Sequence, residues 1–443
     1  MGASFRVPTL AILVSIFISC RAAFVTVTRT SVRISSFLLS TKQDTMMTPI
    51  REQTSRCVSF SSPDASGICE RTKSMDARAA AGDPLTDSEL NDVINSILNV
   101  IPKAAHLDCD ALRNILSEIA HLSHKDWVRT GINSEKLGQV LLPQGMCPHT
   151  RQMLERILVE GNWNGAEKHA SEKVTDDMPW AVLVTGVNGI RKTTSIYQPW
   201  FPHLLAEALT APEGSNATFD KRALPCGSNS FFRQLDHMIA TLCNEDFAQL
   251  YALTGQEMGE GDEPPKALIQ KYSNLKAAIF TRYRTLSELL GVWLLREAQM
   301  LKSNCMMETS GRDVAMFHYV DQFFPKNYNK LVLHFTINDL SCAQHSVDAR
   351  MAKEMKDGID ALNGKDTFKV IYANAGGPYG SEVLAGVQEA SDRVWNEVVM
   401  KGDEVGQDWY KATIAVNAHP TEPWTAQAVR PDGSLGTKFT FAK

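Results

Sequence analysis

The nine residues from Gly186 to Thr194, Gly-Val-Asn-Gly-Ile-Arg-Lys-Thr-Thr, combine types and spacings suited to holding a phosphate. Gly186 lets a chain leave a strand sharply, and Gly189 lets backbone N–H groups close around an anion. Lys192 brings an ammonium for β- and γ-phosphate oxygens, and Thr193 a hydroxyl for a magnesium ion. A helix starting there adds its positive end. Gly186, Asn188, Gly189, Arg191, Lys192, Thr193 and Thr194 are therefore the candidate nucleotide contacts, with ATP and Mg2+ as the ligands they suit. Arg191 stands where the pattern G-x-x-x-x-G-K-[ST] has glycine. Its side chain either crowds the β-phosphate turn or adds a guanidinium to it. Pro199, seven residues after Lys192, should cut or kink the first helix.

Two more segments carry usable chemistry. Residues 304–308 read as a strand that runs into Glu308-Thr309-Ser310-Gly311-Arg312-Asp313, and residues 331–337 as one that runs into Asn338-Asp339. Polar groups at the carboxyl ends of parallel strands line the crevice where ligands bind. Either Glu308 or Asp339 suits holding magnesium through water or accepting a hydroxyl proton, and Asp339 equally suits capping the next helix. Lys192, Glu308 and Asp236 are the candidate catalytic residues, and Thr193 the metal ligand. Arg233 is either a substrate-phosphate contact or an exposed arginine. His121 and His124 lack a third ligand at metal spacing and read as a solvated helix end. The glycines of Asn374-Ala-Gly-Gly-Pro378 lack a lysine at the right offset and read as a plain turn.

The elements that must position these residues follow from periodicity. Residues 181–185 form an unbroken apolar run, as a strand buried on both faces should. Helices at 274–301, 314–323 and 342–362 then alternate with strands at 304–308, 330–337 and 368–372. That alternation predicts an α/β fold, a mostly parallel sheet with helices on both faces. A hairpin of 425–429 and 437–441, turning through Pro431-Asp432-Gly433, ends the chain. Ahead of the sheet, a Thr86–Glu89 capping box and apolar residues at helical spacing predict a small all-helical module over residues 85–175. Its helices are expected at 108–122, 134–142 and 149–160.

With 443 residues, of which 44% are hydrophobic, the chain can bury sizeable cores. A net charge of −5 offers no global field for nucleic acid. The nine cysteines form no C-x-x-C pair and read as scattered thiols of a reducing compartment. At the N-terminus, Arg6 precedes an apolar run over 7–18, right for a signal-peptide core and too short to span a bilayer. A stretch rich in Ser, Thr and Arg follows, with no acidic residue before Asp44. The leader is accordingly divided into a signal peptide at 1–23 and a transit-like segment and linker at 24–84, the composition of a bipartite secondary-plastid leader. Plain secretion is the alternative.

In the order of these features the chain resembles the zeta-toxin family of P-loop kinases. The resemblance is carried by G-x-N-G with Lys192-Thr193, a helix from Arg284 into Glu308-Thr309-Ser310-Gly311-Arg312, and the hairpin Arg430-Pro431-Asp432-Gly433. It covers residues 180–443, with insertions near 246–265 and 373–408. What it implies is a kinase that transfers phosphate from ATP to a small molecule, a sugar nucleotide in the toxins. It assigns Glu308, Thr309 and Arg312 to substrate, and Arg350, with Lys353 beside it, to a lid over the phosphates. The family's aspartate before a Phe-Arg/Lys pair is missing from Ser228-Asn229-Ser230-Phe231-Phe232-Arg233; Asp236 and Asp220 are near but out of register. Loss of a general base costs ~10²–10⁴ in rate, so a degenerate nucleotide-binding or scaffold protein, with the helical module as its partner surface, is the rival expectation.

Overall fold

Trp-Ala-Val-Leu-Val-Thr, the first strand (β1, Trp180–Thr185), is buried at every residue. Its apolar side chains require cover on both faces, which only the middle of a sheet provides. The computed structural model describes the chain from residue 78, apart from residues 79–80, 101–106, 123–125, 142–153, 155, 174–177, 210–223, 259–262, 403, 420, 431–432 and 442–443. The leader expected at 1–23 and nearly all of the 24–84 segment lie outside the described residues, as do Asp220 and the Pro431-Asp432 turn.

The elements before β1 include, among the described residues, α1 (Asp87–Val100), α2 (Cys109–Ile119), α3 (Trp127–Leu141) and α4 (Trp163–Glu172). After β1 come α5 (Lys192–Ile196), α6 (Phe201–Leu209), β2 (Ser230–Arg233), α7 (Leu235–Leu242), α8 (Asn244–Glu257) and the long α9 (Lys266–Met300). Then follow β3 (Asn304–Glu308), α10 (Ala315–Phe323), β4 (Asn329–Ile337), α11 (Leu340–Asn363), α12 (Thr367–Ala373) and α13 (Leu384–Val394). The strands β5 (Tyr410–Val416), β6 (Trp424–Val429) and β7 (Phe439–Phe441) close the sequence of elements. The seven strands make one sheet in the order β2-β3-β1-β4-β5-β6-β7. Pairing is parallel from β2 through β5, and antiparallel from β5 to β7. The mostly parallel α/β sheet and the terminal hairpin expected from periodicity are present.

Two expectations are corrected, at residues 368–372 and at His121, and one strand was not expected. Residues 368–372, expected as a strand, belong to the helix α12, because the Asp366 carboxylate accepts the Lys369 amide at 3.2 Å and starts a helical turn. The strand β5 carries Lys411, Ala412, Thr413 and Ala415 where an apolar run would announce it, and was not foreseen. The described helices before β1 make contacts with the sheet and with α9. Trp127 of α3 sits edge-on to Tyr319 at 5.1 Å, and the Phe232 amide of β2 donates to the Gly161 carbonyl at 2.8 Å. His121 is buried rather than solvated. Pro199 does end the first helix: α5 stops at Ile196 and α6 starts at Phe201. Among the described residues, no helix is long and apolar enough to cross a membrane.

Candidate functional site

The chain leaves β1 at Gly186, whose φ is +124°; a Cβ there would fall 2.4 Å from the Phe335 carbonyl of β4. Gly189 has φ +84°, and its Cβ would fall 2.5 Å from the Ala343 carbonyl of α11. Both positions therefore require glycine, by conformation and by space. Arg191 adopts the same left-handed region, φ +67°, at a cost of ~1–2 kcal/mol for a residue with a Cβ. Its side chain is exposed and lines the cavity that opens over the loop. The helix that follows, α5, is only five residues long, so its dipole adds less than the sequence led us to expect.

Lys192 is buried and spends its ammonium protons locally. Its Nζ donates to the Gly186 carbonyl at 2.6 Å and the Val187 carbonyl at 2.8 Å, and lies 3.2 Å from Glu308 Oε1. The other carboxylate oxygen, Oε2, accepts the Thr193 hydroxyl at 2.6 Å. This triangle exists because β3 is the neighbour of β1, with Val184 in register with Glu308. Burial lowers the Lys192 pKa from the ordinary lysine value, while the Glu308 charge opposes that shift.

A cavity of about 870 Å³ opens over this loop. It gathers Asn188, Gly189, Arg191, Lys192, Thr193, Thr194, Arg233, Asp236, Glu308, Thr309, Arg312 and Arg350, all expected at the site; Gly186 lies outside its lining. Asp236, out of register in the sequence, enters because α7 begins directly beyond β2 and carries it on its first turn. Its pKa is raised to about 6, chiefly by burial and further by Glu308 and Glu354, against the opposing charges of Lys276 and Arg350. Arg233 is buried, not exposed: its guanidinium packs over the Tyr319 ring at 5.0 Å and against Gly291 of α9. The Nε and Nη2 of Arg233 have no hydrogen-bond partner. Arg312 lies over the Tyr379 ring at 5.1 Å.

Two expected contacts stay outside. Asp339 caps α11, its carboxylate accepting the Ser341 hydroxyl at 2.7 Å and the Ser341 amide at 2.9 Å, and those bonds hold its pKa below the ordinary value. Lys353 is exposed and pairs with Asp357 one turn on. Other groups were missed. Lys276 and Glu354 are buried charges, and residues 375–378 of the segment read as a plain turn, with Tyr379 after them, form one wall of the cavity. A signal for the first two was present. Lys276 falls in the stripe Leu268, Tyr272, Leu275, Ile279 and Tyr283, and Glu354 in the stripe Val347, Met351 and Met355. A charge inside an apolar stripe needs a partner.

The arrangement offers hard oxygen ligands at Thr193 and Glu308, cations at Lys192 and Arg350, and a carboxylate at Asp236 whose pKa burial raises to about 6. Set against protein-family models, curated proteins and solved structures, the chain has no match.

Proposed function

We propose that this chain is a P-loop kinase resembling the zeta-toxin family, binding ATP with Mg2+ in the cavity and phosphorylating a small molecule. The observation that carries the proposal is the Lys192–Glu308–Thr193 triangle behind a loop with obligatory glycines. The donor set fits the ligand in type: the Thr193 hydroxyl and the Glu308 carboxylate, now hydrogen-bonded to each other at 2.6 Å, are hard oxygens of the kind a magnesium ion takes. Bound Mg·ATP supplies the phosphoryl group and neutralises part of its charge. On binding, Lys192 exchanges its carbonyl partners for phosphate oxygens, and Arg350 presents a second cation from α11. Asp236, with its pKa raised to about 6, accepts the proton of the attacking hydroxyl, and Glu308 and Thr193 would hold the metal. Thr309, Arg312 and Arg233 line the acceptor side. Asp236 supplies the carboxylate missing from residues 228–233, which favours the enzyme over the degenerate scaffold.

The test uses the full chain. Mg·ATP should raise the thermal midpoint of the wild type and leave Lys192→Met unchanged, and labelled ATP should transfer phosphate to a member of a sugar-nucleotide panel. Absence of any nucleotide effect on the wild type removes the proposal; binding without any phosphorylated product moves it to the scaffold. The proposed plastid destination rests on the leader alone, and a fluorescent fusion of residues 1–84 that is secreted would overturn it.

A further inference from the structure

Away from the glycine loop lies the most completely buried ion pair among the described residues. Lys276 of α9 and Glu354 of α11 have side chains 0% and 1% exposed. Glu354 Oε2 accepts from Lys276 Nζ at 2.6 Å and from the Tyr272 hydroxyl at 3.0 Å. Its Oε1 accepts the Ala375 amide at 3.0 Å and lies 3.5 Å from Arg350 Nε. Arg350 in turn donates from Nη2 to the Gly377 carbonyl at 2.9 Å. Ser273 of α9 adds a hydroxyl hydrogen bond to the Pro378 carbonyl at 3.0 Å. One carboxylate thus joins two helices to the backbone that walls the cavity.

That wall abuts the site's own groups. A Cβ on Gly377 would fall 3.0 Å from Asn188 Nδ2 and 3.5 Å from Asp236 Oδ2, and one on Gly376 would fall 2.6 Å from Arg350 Nη1. The two glycines let the strap lie directly on these side chains. Stability alone does not account for the pair, since apolar residues of similar volume at such a place are often neutral or stabilising. A directional set of bonds to a backbone amide, however, fixes geometry in a way that apolar packing does not.

We infer that Glu354 is a positioning residue of the phosphate site: held by Lys276 and Tyr272, it fixes Arg350 and the 375–378 strap against the nucleotide loop. The inference rests on the phosphotransfer proposal for what the site binds. It is tested on the full chain with the double variant Lys276→Met/Glu354→Met, and with Glu354→Gln, which keeps one oxygen acceptor, should the first not fold. Two measurements are made. Amide hydrogen exchange of the nucleotide-free protein at residues 375–377 should accelerate roughly 10-fold or more, with the β1 and β4 amides unchanged. The apparent Kd for Mg·ATP, by titration calorimetry, should rise roughly 10-fold, the scale on which outer partners of a site act. A folded variant with wild-type exchange at 375–377, or with an unchanged Kd, overturns the inference. A wild type that shows no Mg·ATP binding removes the phosphotransfer proposal instead, and the exchange measurement still reports on the strap.

Discussion

Asp236 is subject to opposing influences whose balance is measurable. Burial raises its pKa to about 6, above the ordinary carboxylate value, despite the neighbouring cations. As a proton acceptor it must be ionised, so kcat/KM should fall as pH drops through about 6, and Asp236→Asn should lose ~10²–10⁴ in rate. The effect on stability has the opposite sign. The folded state binds the proton more tightly than the unfolded one, so the group's unfavourable contribution grows as pH rises from about 4 to 6 and persists above. Asp236→Asn should therefore gain stability at pH 7, on the order of 1–3 kcal/mol, by denaturant titration; a destabilised Asn variant would contradict this. Arg191 gives a second pair of opposed signs. Arg191→Gly relieves the φ of +67° and should raise stability by ~0.5–1 kcal/mol after the added chain entropy is deducted. It should also weaken Mg·ATP binding if the guanidinium meets phosphate, and an unchanged Kd would leave Arg191 as a strained rim residue only. The loop's residues were legible because their types are fixed by local chemistry. Asp236 was a candidate by type but out of register with the family's pattern, and its entry into the cavity depends on where α7 starts relative to β2.

Among the elements, the turn from β1 to α5 is the most constrained. Gly189→Ala meets both a φ of +84° and a backbone carbonyl 2.5 Å from the new Cβ. Since that carbonyl belongs to α11, the clash cannot be relieved by a rotamer change. The variant should lose ~2–4 kcal/mol of stability, read from the shift in denaturant midpoint, and Mg·ATP binding with it. Gly386, where a Cβ would meet nothing within 4 Å, is the control expected to tolerate alanine. Strands β1, β3 and β4 could be read from sequence because each contains an unbroken apolar run, at 180–184, 305–307 and 331–333. The strand β5 could not: it is one step nearer the antiparallel edge, and Lys411 and Thr413 interrupt its pattern. The Phe-Lys-Val-Ile-Tyr run at 368–372 has strand composition but follows the capping Asp366, and the cap prevails over propensity. The strap at 375–378 was invisible for a different reason. Its importance comes from Glu354 and Arg350, which contact it from 21 and 27 residues away in sequence.

For the molecule as a whole, the leading helices share one fabric with the sheet. Trp127 stacks edge-on to Tyr319 and Phe323, and its indole N–H reaches the Ala315 carbonyl at 3.1 Å. Trp127→Ala should cost about 3–5 kcal/mol. Both wild type and variant should unfold in a single transition by fluorescence and circular dichroism, and two separated transitions would restore an independent module. The sheet order has a temporal consequence. β1 pairs with β3 and β4, and its contacts with them reach 124 and 148 residues ahead in the chain. At ~5–20 residues per second of synthesis, an emerging β1 waits about 6–25 s for its first neighbour. During that interval a strand with five apolar residues in succession is unsheltered on the nascent polypeptide, a ready nucleus for self-association. Newly made chains should therefore depend on holding chaperones until β3 has been translated, and recovery from denaturant should fall steeply with protein concentration.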